Sequence, residues 1–312
     1  MKLKESTLQK QWVVALIAIG CCVLWGSAFP SIKIGYKLFE IAGDDTATQI
    51  LFAGCRFTIA GILTILFATL LQGKFVYPTK KAIPKVVKIC LLQTVAQYFF
   101  FYIALAHTTG VKSSIIGASN TFLSIVIACI LLKQEKLTSQ KILGCLLGFA
   151  GIVIINLTGS GIDMSFTLLG EGFMFCSAFA YALAAVVLKI YSKDEDPVMI
   201  SGYQFLIGGL IMAVAGIVAG GHIEAISVKG IALLCYLGFV SAGAYSLWGI
   251  LLKYNPVAKV AIYGFTTPVC GALLSAVVLG EGGIFNIRSL IALVLVCSGI
   301  FIVNYVKKES VS

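Results

Sequence analysis

The chain has 312 residues, 59% of them hydrophobic and only 12% charged, with a mean hydropathy of +1.01. So little polar surface cannot clothe a water-soluble globule, and the composition reads as a polytopic membrane protein. The net charge of +10 does not mark a nucleic-acid surface, because the cations sit in the connections between apolar stretches, where they act as a topology signal.

A helix rising about 1.5 Å per residue needs roughly 20 apolar residues to cross about 30 Å of hydrocarbon. Ten stretches meet that need: Trp12–Ile34, Ala47–Leu71, Val86–Ala106, Ser113–Leu132, Leu137–Leu157, Leu168–Ile190, Val198–Gly221, Gly230–Leu252, Val257–Leu279 and Ile287–Val306. We number these spans 1 to 10. They use most of the length and leave no room for a separate soluble domain. Span 1 is longer than a signal-peptide core and runs into Lys33 and Lys37, not a small-residue cleavage site, so it is read as retained.

With the N-terminus inside, the lysine clusters at Lys2–Lys10, Lys74–Lys88, Lys133–Lys141, Lys189–Lys193, Lys253–Lys259 and Lys307–Lys308 all fall on one face. Only Lys33, Lys37, Lys112, Lys229 and Arg288 fall on the other, and Arg56 lies within span 2. The positive-inside rule then places both termini in the cytoplasm. The ten cysteines all lie in apolar spans and read as small hydrophobes, not a disulfide framework.

Landmarks recur about 150 residues apart. Glu135 sets on Glu281, Thr121 on Thr267, Gly151–Asn156 on Gly299–Asn304, Arg56-Phe57 with Gly61 on Gln204-Phe205 with Gly209, and Trp25 on Tyr181. The chain therefore divides into a first repeat at 1–157, a connection at 158–167 and a second repeat at 168–312. A five-crossing unit starts and ends on opposite sides, so its second copy is inverted. The expected fold is all-α integral membrane, ten transmembrane helices as two inverted five-helix repeats, with a site near the bilayer midplane.

The segment Trp25-Gly-Ser-Ala-Phe-Pro-Ser-Ile-Lys33, Arg56-Phe57, the Glu135 motif followed by Lys141–Asn156, and its echo from Pro268 through Glu281 to Asn304 resemble the drug/metabolite transporter superfamily, EamA type. The resemblance covers essentially the whole chain. It implies a ten-helix bundle around a central cavity, moving amino acids, nucleotide or sugar derivatives, or drugs, often outward.

Candidate substrate contacts are polar or aromatic groups at mid-span depth, which must face protein or water. Trp25, Tyr98, Tyr181, Tyr245, Trp248 and Tyr263 offer rings with a polar handle, and Ser27, Gln97, Asn120 and Thr266 offer hydrogen bonds. Gly26, Pro30 and Pro268 are candidate hinges, the alternative being ordinary packing and kinks. Arg56 is read first as a structural charge holding neighbouring carbonyls, with contact to a substrate carboxylate as the alternative. Glu135 and Glu281 precede helix starts at Thr138/Ser139 and Asn286 and are assigned to capping or loop closure. Glu171 is the better internal acid for coupling to an ion. Span 1 carries no carboxylate, which departs from the small four-helix multidrug members of the superfamily and puts drug/proton antiport by that route in doubt.

These observations favour a secondary carrier exporting small organic metabolites by alternating access. Its partners are the lipid bilayer, a small-molecule substrate and a coupling ion, with no nucleic acid. Uptake or exchange of nucleotide or sugar derivatives, and a channel or sensor, stand as alternatives. No cofactor, metal site or catalytic set is expected: no HExxH and no Walker-type phosphate loop occur, and His107 and His222 lie near the outer ends. Gly144, Gly148 and Gly151 give span 5 a small-residue face for packing within a monomeric bundle, a dimer surface being the alternative.

Overall fold

A computed structural model describes residues 5–108, 110–132, 136–156, 166–279 and 287–305. Glu135 and Glu281, and the helix start expected at Asn286, lie outside the described residues. Span 1 is the helix Gln11–Leu38, span 2 Thr46–Gln72, span 4 Gly110–Leu132, span 5 Ser139–Asn156, span 6 Leu168–Tyr191, span 7 Pro197–Val218, span 8 Val228–Tyr254 and span 10 Ile287–Asn304. Span 3 runs over 83–107 and span 9 over 257–279. Eight of these are long and apolar enough to cross a membrane, and spans 5 and 10 are shorter apolar helices. The protein is an all-helical, multi-pass membrane protein.

The residues before the helices supply the caps. Side chains of Asp45, Asp196 and Ser227 accept from the amides of Thr48, Val198 and Gly230 at 2.9, 2.9 and 3.0 Å, and Thr167 does the same for Gly170 at 3.2 Å. Each satisfies one of the orphan N–H groups of a helix start. Thr138 Oγ1 likewise accepts from Lys141 N at 3.4 Å, at the start read from the sequence. Span 2 ends at Gly73, whose φ of 65° is left-handed and suits a residue without Cβ.

Lipid gives apolar helices no hydrophobic reason to associate, so close backbone approach has to do it. Span 2 lies along span 7, and a Cβ on Gly54 or Gly61 would overlap the backbone of Ala213 or Leu206. A Cβ on Gly209 or Gly216 would strike Thr58 or Leu51 in return. The beginning of span 2 thus meets the end of span 7, and the two run antiparallel. Spans 5 and 10 do the same, with Gly144 against Gly299 and Val303, and Gly151 against Ala292 and Val296. The small-residue face of span 5 is covered by span 10.

Exchanging every span for the one five places on leaves the main contacts in place. Span 1 packs on spans 8 and 9, and span 6 packs on spans 3 and 4; span 2 packs on span 8, and span 7 on span 3. Polar links sort the ends into two faces. On one, Lys259 Nζ donates to Gln9 O at 2.8 Å, Gln72 Nε2 to Asp196 at 2.9 Å and Lys189 Nζ to Leu252 O at 2.8 Å, and Lys85 pairs with Glu195 at 3.0 Å. On the other, Thr48 Oγ1 donates to His222 O at 3.3 Å and Thr108 Oγ1 to Glu171 at 2.5 Å.

Departures from α-helix fall in spans 3, 6 and 9 and not in span 1. Span 1 passes unbroken through Gly26 and Pro30. Ser31 Oγ donates to Ser27 O and Ser27 Oγ to Leu24 O, supplying donors to carbonyls around the proline. A Cβ on Gly26 would lie 2.8 Å from Cys270 Cβ, so Gly26 serves the contact between spans 1 and 9. Span 9 does loosen: it is 3-10 over Ile262–Phe265, one turn before Pro268, whose ring would clash with the carbonyl of Gly264 in a regular helix. Span 3 has a π-helical stretch at Cys90–Ala96 and span 6 another at Leu168–Gly172.

Candidate central transport site

Spans 1, 2, 3, 7 and 8 meet in a closed circuit of rings. Trp25 stands edge-on to Tyr245 at 5.1 Å between centroids and 5.0 Å from Trp248. Tyr245 lies 4.9 Å from Phe205, Phe205 stacks on Phe57 at 5.4 Å and 11°, and Phe57 lies 4.5 Å from Tyr98. The hydroxyls of Tyr98 and Tyr245, 3.2 Å apart, close the circuit. Aromatic pairs of this kind add about 0.5–1.5 kcal/mol each beyond the area they bury.

Arg56 and Gln204 each precede one of the two stacked phenylalanines, Phe57 and Phe205. Arg56 is 4% exposed, donates from Nε and Nη2 to Ser241 Oγ at 3.2 and 2.9 Å, and holds its guanidinium 5.1 Å from the Phe57 ring centre. Gln204, fully buried, donates to Gln93 Oε1 at 2.7 Å and accepts from Thr94 Oγ1 at 3.4 Å.

Next to the rings lies a cavity of about 10 Å³, roughly the room one water needs, lined by Asn120, Thr121 and Ser124 of span 4, Tyr181 and Ala185 of span 6, Trp248 and Leu252 of span 8, and Val257, Ala261 and Gly264 of span 9. Small-molecule pockets run about 300–1,000 Å³. The bundle is thus in a nearly closed conformation around its centre.

Of the residues singled out from sequence, the structure brings Trp25, Tyr98, Tyr181, Tyr245, Trp248 and Asn120 to this region. Gln97 adjoins it in sequence, and its Oε1, like Trp25 Nε1, is buried with no hydrogen-bond partner among the described residues. Others point elsewhere. Ser27 bonds the hydroxyl of Tyr236 at 2.8 Å on a more exposed side of span 1. Tyr263 OH accepts from Gln11 Nε2 at 3.3 Å near one end of the bundle, and Thr266 Oγ1 turns back to the Tyr263 carbonyl beside the 3-10 stretch. Glu171 accepts from Thr108 Oγ1, from Thr167 N at 2.7 Å and from Thr167 Oγ1 at 3.0 Å, and so ties the start of span 6 to the end of span 3. Pro268 acts through the backbone of span 9.

Sequence reasoning missed Ser241, a fully buried serine in a run of small residues, and the roles of Phe57, Phe205 and Ser124. Ser241 was findable only by noting that a charge in span 2 needs an acceptor in a neighbouring span. Among the described residues no group of three or more His, Cys, Asp or Glu is placed to hold a metal ion.

Antiparallel equivalent helices, main contacts that survive exchange of the halves and a polar, aromatic centre describe a duplicated bundle. The sequence comparison decides its family: the EamA-like transporter family matches residues 12–157 and again 168–305. The chain belongs to the EamA-like transporter family. Within it, the chain is similar to the uncharacterized transporter YetK of Bacillus subtilis, 27% identical over 83% of this chain and 79% of that protein. It is also similar to a Salmonella typhimurium protein named "Probable amino-acid metabolite efflux pump", 26% identical over 94% of each. A solved structure superposes with a TM-score of 0.76 at 18% identity, covering 93% of this chain and 96% of that one, so the two share a fold.

Proposed function

We propose that this EamA-like protein is a secondary carrier that exports small organic metabolites, amino acids or related compounds, by alternating access through the central site. Both termini are cytoplasmic, as the lysine distribution requires. The two repeats, 1–157 and 168–312, rock against each other along the glycine seams between spans 2 and 7 and between spans 5 and 10. The observation that carries this reading is the pairing of main contacts that survive exchange of the halves with a small cavity walled by Asn120, Tyr181 and Trp248 from both halves. Two equivalent half-bundles can swap conformations and open the same site to either face. The efflux-pump name of the Salmonella relative supports the direction and the substrate class of this reading.

The test is solute flux and counterflow in proteoliposomes across a metabolite panel. Saturable counterflow of at least one metabolite is expected, and flux without saturation or counterflow would replace the carrier with a pore. Trp25→Ala and Asn120→Ala are expected to lower flux by about tenfold or more while inserting normally, since each removes a ring or hydrogen bond worth roughly 1–2 kcal/mol at the site. Wild-type flux in both would remove these residues from the pathway.

A further inference from the structure

We infer that Arg56 is the anion subsite of the transport pathway and that the carried solute bears a carboxylate. This deepens the carrier reading above and rests on it for the act of transport, though not for the act of binding.

The guanidinium of Arg56 carries a positive charge and a planar fork of N–H donors. It lies about 15 Å along the axis from the start of span 2, deep in the bundle. Such a charge is costly in a membrane interior unless paired. Among the described residues no carboxylate reaches it. Its hydrogen-bond acceptor is Ser241 Oγ, which receives both Nε and Nη2. The side of a guanidinium that offers two parallel N–H groups matches the two oxygens of a carboxylate. Here both prongs converge on one neutral oxygen, and the two N–H groups of Nη1 are left without a protein acceptor among the described residues.

The neighbouring rings carry unspent donors, beside one buried unpartnered acceptor, Gln97 Oε1. Trp25 Nε1 is buried with no partner, and its ring touches Tyr245, one helical turn beyond Ser241 on span 8. The hydroxyls of Tyr98 and Tyr245 share a single hydrogen bond between them, so one of their protons remains to be given. Guanidinium, indole and phenol donors gathered around one fixed positive charge are complementary to a singly charged oxyanion. A phosphate monoester carries more charge and calls for a second cation, and Lys189 is held at the end of the bundle by the carbonyls of Leu252 and Asn255.

The symmetry-related position shows what a satisfied structural contact looks like here. Gln204 in span 7 meets Gln93 and Thr94 in span 3 as Arg56 in span 2 meets Ser241 in span 8, and there the donors and acceptors answer each other. Only the copy with Arg56 holds a charge with no charged partner among the described residues.

The test uses the full-length protein in detergent and in proteoliposomes. Thermal unfolding is followed with the natural amino acids, 4-methylpentanoate and 3-phenylpropanoate, each against its carboxamide, with glycerol 3-phosphate as the phosphate arm. Binding to the folded state raises the unfolding midpoint. At least one carboxylate is expected to bind about ten- to hundredfold more tightly than its carboxamide, the value of a charge-assisted hydrogen bond. Arg56→Gln is expected to erase that preference and Arg56→Lys to restore part of it. The acid-to-amide ratio in the wild type decides the matter even if a variant fails to fold.

An acid and amide within about twofold of each other in every pair, no binding by any carboxylate, binding by the phosphate ester alone, or an Arg56→Gln protein that keeps the preference would each overturn the subsite. The carrier reading fails separately. Carboxylates that bind through Arg56 but show no counterflow would uphold the subsite and sink the carrier. Counterflow of solutes without regard to a carboxylate would do the reverse.

Discussion

Arg56-Phe57 in span 2 and Gln204-Phe205 in span 7 are the same place in two copies of one module, and they have been put to different uses. The two phenylalanines stack face to face across the seam, while the polar residue of each pair reaches the third span of the opposite repeat. The glutamine finds an amide and a hydroxyl and closes a small neutral network. The arginine finds one serine. Duplication supplied two equivalent positions, and one has been kept as a helix-to-helix contact while the other holds a charge at the centre. The third spans differ accordingly: span 8 is regular across Ser241, whereas span 3 is π-helical over Gln93 and Thr94.

Both positions depend on the glycine seam between spans 2 and 7, and breaking the seam should have the largest effect. Gly209→Leu would drive a side chain into the backbone around Thr58, not into a yielding side chain. Its cost should exceed the roughly 1–3 kcal/mol of ordinary overpacking. Loss of monodisperse protein on size exclusion is expected. Gly20→Leu, where nothing lies within 4 Å of the added Cβ, should behave as wild type. A well-folded Gly209→Leu protein would mean that the seam is looser than the glycines imply.

The two copies should then separate in what their loss does. Gln204→Leu strips partners from Gln93 and Thr94, both buried, and should destabilise the bundle by about 1–3 kcal/mol. The double variant Gln93→Leu/Gln204→Leu should recover part of that, since two apolar side chains leave fewer polar groups unmet. Arg56→Gln should cost less stability than Gln204→Leu, because it removes a charge that the protein alone does not satisfy. Denaturant unfolding in micelles measures all three, and the opposite order would make Arg56 the structural member of the pair.

Much of this bundle was legible in the sequence. Roughly twenty consecutive apolar residues have one reading in lipid, so the spans fell within a few residues of their observed ends. Span 1 is an instructive exception, continuing to Leu38 past Lys33 and Lys37, which looked like a stop. Long lysine side chains can extend along a helix toward the interface without ending it. The rings around Tyr245 were legible because aromatic and polar groups at mid-depth need a reason to be there.

What could not be read was facing. Helices apolar on every side carry no amphipathic stripe, so nothing in the sequence separated Trp25, which turns inward, from Ser27, which turns toward Tyr236. The same uniformity hid Ser241, and a π-stretch such as Cys90–Ala96 has no proline or glycine to announce it.

Neither central contact titrates near neutral pH, so any pH dependence of stability there should come from the connections. His222, between spans 7 and 8, places Nδ1 3.1 Å from Gly220 O and Nε2 3.2 Å from Glu224, two acceptors that only the doubly protonated ring can serve. The Gly220 carbonyl first, and then Glu224, hold its pKa above the ordinary 6.5. A raised folded-state pKa means that the stabilisation is complete below the unfolded value and is lost as pH rises through the folded one. Asp45, held low by its hydrogen bonds to Thr48, loses its contribution only as pH falls through its lowered value, outside this window. The unfolding midpoint should therefore decline slightly and steadily from about pH 6 to 8, the effect being small because the ring is exposed and screened. His222→Gln should flatten that slope without touching the acid-to-amide preference assigned to Arg56. An unchanged slope would move the titrating group elsewhere, and a lost preference would tie the connection to the centre.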